Sequence, residues 1–363
     1  MVEIDNNKVV AALGNVKDPA TGQDIISRRM VTDLRIQGDQ VQFHLATADL
    51  PEAQKQSLNF ACMEAIMAVY PKANVHIHME RGGGDGGQQS PLPHVKNIIA
   101  VASGKGGVGK STVAVNLALG LQKLGFSVGL IDADLYGPSA PTMLGLKGER
   151  PKVQVLHGSH KIIPLEAYGM PVMSIGFVVD PEQAVVLRGP RLAGIIKQFI
   201  KDTVWPPLDY MVIDLPPGTG DIQLTLVQTV PLTGAVMVTT PQELSVVDAV
   251  KAMNMFLLES LNVPILGVVE NMSWFTPAEL PENKYYLFGS GGGEKLADLG
   301  QTKVLAQIPL VQSVREGGDT GKPAVLQDGD LQNRFMALAK ALHEQTQLRN
   351  QQMAPTRMVE LKP

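Results

Sequence analysis

From about residue 98 onward, short apolar runs alternate with amphipathic segments. The apolar runs lie at residues 98–102, 127–132, 210–214, 235–239, 265–269 and 304–308. Apolar residues at helical spacing follow the first run, and further helices are predicted over 244–261, near 293–299 and over 331–347. Buried strands that alternate with helices are typical of a mostly parallel sheet covered on both faces. We therefore predict a doubly wound α/β domain over residues 95–350.

The first 80 residues predict a separate, small α+β domain. A helix is expected from Asn6 to about residue 13, a hairpin from segments 31–36 and 41–45, a helix from Pro51 to about residue 70, and a strand over 74–79. His76 and His78 share one face of that strand, where they are either metal ligands or simply solvated. Cys62 lies in the helical stretch and is predicted to be a buried structural thiol.

Two segments interrupt or follow these domains. Residues 81–94 contain many glycines and almost no apolar side chains, so they predict a flexible linker. Residues 351–363 form a C-terminal tail without a sustained apolar stripe. Arg188 and Arg191 precede an amphipathic helix, where they either contact phosphate or a partner subunit, or are an exposed basic pair.

The most informative motif follows the first apolar run. Residues 104–111 read GKGGVGKS, which fits G-x-x-x-x-G-K-S/T between a strand and a helix. Glycine-rich backbone and a helix N-terminus together bind phosphate. The predicted ATP ligands are the eight loop residues and the next one: Gly104, Lys105, Gly106, Gly107, Val108, Gly109, Lys110, Ser111 and Thr112. Lys110 is expected to neutralise the β- and γ-phosphates, and Ser111 to enter the Mg²⁺ shell.

Acidic residues end two further apolar runs. Asp132 and Asp134 end the second run, which we expect to lie beside the phosphate-loop strand, and Asp214 ends the third in a Walker B arrangement. We predict that Ser111, Asp132 and Asp214 hold Mg²⁺, partly through water, and that Asp134 orients or deprotonates the attacking water. Residues 135–146 are predicted to be a mobile loop that senses the γ-phosphate. Asn271, just beyond the fifth run, fits either adenine recognition or a turn cap.

Composition narrows the class of protein. The 363 residues carry a formal charge of −4, which gives no overall basic excess for nucleic acid or anionic lipid. Neither a basic leader followed by an apolar stretch nor a run of about 18 apolar residues occurs, so we expect a cytoplasmic protein without stable membrane association. The single cysteine, Cys62, excludes an intrachain disulfide and any metal site built from two cysteines of one chain.

These motifs carry a family resemblance. The loop SGKGGVGKST, with its extra Lys105, resembles the deviant Walker A motif of the MinD/ParA/Mrp ATPases. Together with the segments DADLYGPSAP, VIDLPPGTGD and ENMSWF, it resembles the Mrp/ApbC family of iron–sulfur cluster carriers, and the first domain is similar to a PaaD/SufT-like domain. The resemblance implies a homodimer in which Lys105 reaches the partner's nucleotide, and a bridging 4Fe–4S cluster that is handed to apoproteins.

The cysteine pattern departs from that family. A C-x-x-C pair usually follows the E-N-M-S segment, but residues 274–288 contain no cysteine. A symmetric dimer offers two thiolates where a cluster normally takes four. Three explanations stay open: a partner holds the cluster, other ligands replace the thiolates, or this chain has left cluster chemistry. We favour a Mg-dependent ATPase, with Lys105, Lys110 and Asp134 as catalytic residues, that serves cluster assembly through apoproteins or a scaffold. The alternatives are a MinD/ParA-like nucleotide-switched dimer that positions a partner and, less favoured, a small-molecule kinase.

Overall fold

The structure, a computed structural model, describes residues 4–18, 21–28, 30–37, 40–47, 52–71, 73–80, 90–134, 137–156, 159–178 and 189–353. The chain forms two compact units, Met1–Gln88 and Gln89–Pro363. The predicted linker at 81–94 lies largely outside the described residues, as do Arg188, the side chain of Arg191, the side chains of His76 and His78, and most of the predicted tail.

The described residues of the small unit form a three-stranded sheet and two helices. It comprises α1 (Asn6–Leu13), β1 (Val31–Gln37), β2 (Gln40–Ala46), α2 (Glu52–Val69) and β3 (Asn74–Glu80). Strand β2 is central, antiparallel to β1 and parallel to β3. The carboxylate of Asp5 caps α1 by accepting from the backbone N–H of Asn7 at 2.7 Å. The predicted hairpin, helices and third strand are confirmed.

The core of the small unit contains Cys62. Cys62, on α2, belongs to a buried apolar cluster that includes Phe43, Leu45 and Ile66, and its exposed fraction is 0%. Burial raises the pKa of Cys62 to about 12, because a thiolate would lose its hydration there. The prediction of a buried structural thiol is confirmed.

The large unit begins with the phosphate-loop strand. Its first half comprises β4 (Val95–Ala102), α3 (Lys110–Lys123), β5 (Val128–Asp132), α4 (Ala140–Met143), β6 (Lys152–Leu156), β7 (Ser159–Ile163), β8 (Leu165–Ala167), β9 (Met170–Ser174) and α5 (Gly189–Asp202). Its second half comprises β10 (Leu208–Asp214), α6 (Asp221–Thr229), β11 (Gly234–Thr239), α7 (Glu243–Leu257), β12 (Ile265–Phe275), α8 (Gly292–Leu299), β13 (Val304–Leu310), α9 (Gln312–Asp319) and α10 (Asp330–Gln352). The described residues of this unit also form two 3-10 helices, Ile175–Phe177 and Ala324–Leu326.

Eight strands form the central sheet in the order β13-β12-β11-β4-β10-β5-β9-β8. All neighbouring pairs are parallel except β8 and β9, and β6 and β7 form a separate hairpin. One face packs against helices that include α5, α6 and α7, through residues such as Phe199, Leu226 and Phe256. The other face packs against α3 and α10, through residues such as Leu117 and Phe335. The predicted doubly wound α/β architecture is confirmed.

The predicted neighbour of the phosphate-loop strand was wrong. Strand β10, not β5, pairs with β4, and β5 pairs with the far side of β10. Strand order depends on how each crossover packs on the sheet, which short apolar runs do not encode. The observed order places Asp214 opposite Val101 of β4 on one side and opposite Asp132 of β5 on the other.

Candidate nucleotide site

The phosphate loop connects β4 to α3 by a sharp turn. Gly107 and Gly109 both have φ of +81°, a left-handed conformation that L side chains rarely adopt. The Ser103 hydroxyl donates to the carbonyl of Lys105 at 3.0 Å and fixes the start of the turn. Val108 is buried, whereas Gly106 and Gly107 expose their backbone. These features leave backbone N–H groups free to face an anion at the N-terminus of α3.

The loop after β10 lies against the phosphate loop. The backbone N–H of Gly218 donates to the carbonyl of Ser103 at 2.9 Å, and Gly218 has φ of +93°. A Cβ on Gly106 would come within 4.0 Å of Pro217. The two glycine-containing loops therefore face each other, as the sequence predicts for a Walker B segment beside a phosphate loop.

Lys110 is the centre of the charged site. Its Nζ lies 2.6 Å from Oδ1 of Asp214, 3.5 Å from Oδ2 of Asp134 and 3.4 Å from the Ser111 hydroxyl. Only 5% of the Lys110 side chain and 2% of the Asp214 side chain are exposed. Coulomb attraction in such a buried place is much stronger than at the surface. The structure thus brings together Lys110, Ser111, Asp134 and Asp214, four residues that sequence motifs alone assigned to the site.

Asp132, unlike Asp134 and Asp214, is held by hydrogen bonds from two backbone N–H groups and one hydroxyl. Its Oδ1 accepts from the N–H of Asp134 at 3.2 Å, and its Oδ2 accepts from the N–H of Ala140 at 3.1 Å and from the Ser174 hydroxyl at 3.0 Å. Complete burial, and next the nearby charge of Asp214, raise the pKa of Asp132 to about 7. The carboxylate therefore ties the segment after β5 to the first turn of α4, and its assignment to Mg²⁺ stays a prediction.

The donor set around Asp214 fits a hydrated magnesium ion. Its Oδ2 is buried and has no hydrogen-bond partner, and such an orphan oxygen calls for a ligand or a water. Burial raises the pKa of Asp214, while Lys110 and the Ser111 hydroxyl act against that rise. Within the described ranges, no three His, Cys, Asp or Glu side chains are grouped as a metal cage. Mg²⁺ commonly keeps several waters and takes one or two protein ligands plus phosphate oxygens, so Ser111 and Asp214 suit it.

A cavity of about 540 Å³ adjoins the phosphate loop, a volume typical of small-molecule sites. Its wall includes Gly109 and Thr112, together with Asn271 and Met272. Asn271 lies within β12 rather than beyond the strand, which corrects the predicted placement, because β12 continues to Phe275. Its Nδ2 donates to the carbonyl of Val108 at 2.9 Å, so the amide braces the loop, and adenine recognition stays a prediction.

The cavity is also lined by residues that the sequence motifs did not indicate. The end of β13 contributes Pro309 to Val311, and α9 contributes Val314 and Arg315. One sequence feature could have indicated these residues. The predicted strand 304–308 ends at the same carboxyl edge of the sheet as the other strands of the site, so the residues after it are expected near the ligand. Of the predicted sensor loop, residues 135–136 lie outside the described part, while Gly137 to Ser139 and α4 border the cavity.

Lys105 follows Gly104 in the phosphate loop and is half-buried. Across the described residues, no hydrogen bond or ion pair involves its Nζ, in contrast to Lys110. Gly104 beside it contacts α7 closely, since a Cβ there would come within 2.0 Å of the backbone carbon of Asp248. The N-terminal half of α7 therefore borders the phosphate loop on the side of Lys105.

Two protein families match this chain, one in each unit. Residues 94–343 match the family described as NUBPL iron-transfer P-loop NTPase, and residues 6–77 match the family described as iron-sulfur cluster assembly protein. The chain belongs to the iron-transfer P-loop NTPase family. The predicted Mrp/ApbC resemblance is thereby confirmed.

Relatives of this P-loop NTPase cover both units. It is 43% identical over 347 residues to an iron-sulfur cluster carrier protein of Synechocystis sp., covering 93% of this chain and 95% of the relative. Among solved structures, a nucleotide-binding protein in complex with ADP from Archaeoglobus fulgidus aligns with TM-score 0.57 and 38% identity over 68% of this chain and 94% of that one. The Pyrococcus furiosus cell division ATPase MinD aligns with TM-score 0.51 and 25% identity over 69% and 99%.

Two findings bear on cluster and membrane binding by this P-loop NTPase. Its only cysteine is buried in the small unit with a pKa raised to about 12, so the chain has no thiolate suited to holding an iron–sulfur cluster. Among the helices that the structure describes, none combines the length and apolarity needed to cross a bilayer.

Proposed function

We propose that this chain binds and hydrolyses ATP to drive iron–sulfur cluster assembly or transfer to apoproteins. The observation that carries the proposal is the arrangement of Lys110, Asp134 and Asp214 at the mouth of the phosphate loop, beside a cavity that could take a nucleoside. The 43% identity to a protein named as an iron-sulfur cluster carrier supports the purpose of that hydrolysis. We place this activity in the cytoplasm.

Hydrolysis of ATP here consists mainly of positioning and charge stabilisation. The backbone of Gly106 to Ser111 and the Lys110 ammonium would bind the β- and γ-phosphates, so Lys110 must exchange part of its contact with Asp214 for phosphate oxygens. Mg²⁺, when bound, neutralises charge that develops on these oxygens. Asp134 lies 3.5 Å from Lys110 through its Oδ2, at a position from which it could orient the attacking water and accept its proton.

Lys105 would complete the site from a second copy of the chain. Its half-buried position beside α7, with no ion pair to Nζ among the described residues, leaves the ammonium available to a nucleotide in the partner subunit. A cation supplied in trans stabilises transition-state charge and contributes about 10³ to 10⁵ in rate for related phosphoryl-transfer sites. The homodimer is therefore part of the proposed catalytic unit.

The cluster is the cargo in this proposal, and this chain does not ligate it through a cysteine pair. We propose that the cluster is held by the client apoprotein or by an assembly scaffold while ATP binding and hydrolysis control their encounter with this chain. No step of the mechanism requires Cys62, which stabilises the small unit by packing.

ATP hydrolysis tests the enzymatic part. Purified full-length chain is assayed for Mg-dependent phosphate release beside Lys105→Ala, Lys110→Ala and, as a control, Lys123→Ala, which removes an exposed lysine at the opposite end of α3. We expect Lys105→Ala to bind a fluorescent ATP analogue yet lose turnover, Lys110→Ala to lose binding, and the control to match the wild type. Unchanged hydrolysis by Lys105→Ala would remove the trans site.

Anaerobic reconstitution tests the cargo part. Wild type and Cys62→Ser are treated with iron and sulfide, and bound iron and visible absorption are measured; we expect substoichiometric cluster in both. A cluster-dependent apoenzyme and a cluster-loaded scaffold are then mixed with the chain, with ATP or without nucleotide. Faster activation that requires ATP and Lys105 supports the proposal. Stoichiometric cluster on Cys62→Ser, or activation that ignores ATP, contradicts it, and an effect on the position of a partner alone favours a MinD/ParA-like switch.

A further inference from the structure

Strand β6 exposes side chains on both of its faces. All residues from 152 to 155 are exposed, and the side chains of Val153 and Val155 are 60% and 64% exposed. Branched apolar residues are favoured in strands because they pack against a neighbouring surface. Here most of each valine side chain stays in contact with solvent, and this exposure on a strand requires an explanation.

Strand β7 holds the β6–β7 hairpin to the large unit. The side chain of Ile162 packs against the core of that unit, and its carbonyl accepts from the N–H of Val204 at 2.8 Å. The Lys161 ammonium donates to the carbonyl of Lys201 at 3.2 Å and lies 3.5 Å from Oδ1 of Asp202, at the end of α5. The hairpin is therefore formed and oriented before any partner binds, which lowers the entropic cost of docking.

The outer edge of β6 is open to backbone pairing. Among the described strands, β6 pairs with β7 alone, whereas the far edge of β7 forms a bridge to Thr203. An edge strand presents backbone N–H and C=O groups with which another strand can pair. Proteins commonly block such edges with proline or charged side chains, but Pro151 and Lys152 stand only at the beginning of this edge, and residues 153–155 include neither. The edge can therefore accept an extended segment.

The two faces of the hairpin differ in character. Val153 lies opposite Ile162 of β7, and Val155 shares its face because side chains alternate along a strand. Lys152 and Lys161 project from the other face. A segment added beside β6 would place every second side chain next to these valines and the remaining ones next to Lys152. The edge therefore favours a partner in which apolar residues alternate with residues that attract a lysine.

The surface around this edge is basic, although the chain as a whole is acidic. The elements β6, β7 and α5 include five basic residues and one acidic residue, whereas the whole chain has a formal charge of −4. Across the described residues, no ion pair or hydrogen bond involves the Nζ atoms of Lys152, Lys197 and Lys201. Lys197 and Lys201 are exposed one helical turn apart on α5, where like charges repel. Acidic side chains of a partner would relieve this repulsion, so the charge of the surface favours an acidic segment.

We infer that β6 docks an extended, acidic segment of a client apoprotein, which pairs with the outer edge as an added strand. That the partner is a client apoprotein rests on the proposed function. Backbone hydrogen bonds give affinity in this mode of recognition, and the alternating side chains give specificity. No residue of β6 or β7 lines the cavity beside the phosphate loop, so docking at this edge leaves the nucleotide site open.

Short fluorescein-labelled peptides test the docking mode on the full-length chain. One peptide alternates glutamate and valine, a second alternates lysine and valine, and a third has the composition of the first with its valines grouped at one end. Fluorescence anisotropy should show saturable binding of the first peptide and binding of the other two that is weaker by about tenfold or more, because charge or alternation no longer matches the edge. Hydrogen exchange measured by mass spectrometry should become slower at the amides of residues 153–155 when the first peptide is bound.

Two charge-matched double variants locate the site. Val153→Glu/Val155→Glu places carboxylates on β6, and Leu299→Glu/Leu348→Glu makes the same charge change on α8 and α10, where the leucines are 55% and 44% exposed. We expect the β6 variant to bind the glutamate–valine peptide about tenfold or more weakly than the wild type and to activate a client apoenzyme more slowly, with unchanged Mg-dependent phosphate release. The control variant should match the wild type in all of these measurements, and tryptophan fluorescence checks that both variants are folded.

A single substitution tests the charge while it keeps both valines. Lys152→Glu should weaken binding of the glutamate–valine peptide and strengthen binding of the lysine–valine peptide, because the charge beside the edge is reversed. A loss of binding for both peptides would instead show that the substitution damages the hairpin, and a preference unchanged from the wild type would contradict an acidic partner.

Several results would overturn the inference without touching the proposed ATPase. These are equal binding of all peptides by the wild type, normal peptide binding or client activation by the β6 variant, equal weakening in the control variant, and unchanged hydrogen exchange at residues 153–155. Wild-type binding to phosphatidylserine vesicles that the β6 variant loses would assign the surface to a membrane instead. Failure of the proposed function is read separately, as a wild type that hydrolyses no ATP or activates no client, because peptide binding needs neither.

Discussion

The buried ion pair between Lys110 and Asp214 leads to the prediction that a second substitution can restore the stability of a Lys110 variant without restoring its ATP binding. Replacing Lys110 by Met keeps the length of the side chain but leaves Asp214 without its partner at 2.6 Å and Asp134 without one at 3.5 Å. Breaking a buried pair by removing one partner costs about 3–5 kcal/mol, because the remaining charge is neither solvated nor neutralised. Since Asp132 is a further buried carboxylate beside them, we expect the Lys110→Met variant to fall in this range.

The double variant Lys110→Met/Asp214→Asn removes both charges. Replacing a buried pair by neutral groups of similar volume is often close to neutral, so we expect it to lie within about 2 kcal/mol of the wild type. Both variants lose ATP binding, since phosphate needs the ammonium. The loss of stability is therefore restored by the second substitution, whereas the loss of nucleotide binding is not.

Tryptophan fluorescence measures the stability of these variants in the intact protein. Both tryptophans of the chain, Trp205 and Trp274, lie in the large unit, so their emission follows the unfolding of that unit alone. A change of 1 kcal/mol shifts the melting temperature of a unit this size by about 2–4 °C, so Lys110→Met is expected to melt roughly 6–20 °C below the wild type. The control is Lys96→Met, which breaks an exposed pair with Asp209 and is expected to cost at most about 1 kcal/mol.

Two results would refute the reasoning. One result is a free energy of unfolding for Lys110→Met that lies within about 1 kcal/mol of the wild-type value. The carboxylates would then have other partners when the Lys110 ammonium is removed, and the pair would not be the electrostatic centre of the nucleotide-free site. If the double variant loses as much stability as the single variants Lys110→Met and Asp214→Asn lose in sum, Lys110 and Asp214 do not act on each other.

Three further predictions use other parts of the structure. Because burial raises the pKa of Cys62 from 9.0 to about 12, iodoacetamide at pH 8 should alkylate the native chain at least about 10³-fold more slowly than the urea-unfolded chain. The free energy of unfolding of the small unit should fall by about 1.4 kcal/mol per pH unit between pH 9 and 12, because the folded thiol keeps its proton in this range while the unfolded thiol loses it. Lys96 first, and then Ser127, lower the pKa of Asp209 to about 2; Asp209→Asn should cost about 1 kcal/mol at pH 7, and that difference should vanish as pH falls from about 4 to 2. Gly104→Ala forces a Cβ to within 2.0 Å of backbone in α7 and should lower the melting temperature and abolish ATP binding, whereas Gly194→Ala, in open space on α5, should stabilise by about 0.5–1 kcal/mol. Urea melts by tryptophan emission check the last two.

The ends of the elements show where pattern reasoning reaches its limit. The apolar run 265–269 predicted a strand of five residues, but β12 continues to Phe275, and Asn271 lies inside it. The polar residues Glu270 and Ser273 interrupt the apolar pattern, yet both are buried. The Glu270 carboxylate accepts from the N–H of Gly293, and the Ser273 hydroxyl donates to the backbone carbonyl of Glu270. Burial of a polar residue can be predicted only when its hydrogen-bond partner is known. The apolar pattern therefore predicted a strand that ends before these polar residues.

Four features can be read from the amino-acid sequence alone: the phosphate loop, its lysines, the acidic residues after the strands, and the alternation that specifies a doubly wound sheet. These features are local, because backbone conformation around Gly107 and Gly109 and the spacing of buried side chains depend on neighbouring residues. Tertiary packing establishes that β10 separates β4 from β5, that Asp132 accepts a hydrogen bond from α4, and that Asp214 pairs with Lys110. Strand order, ion-pair choice and surface exposure depend on residues far apart in the chain, and their energies arise only when packing brings them together.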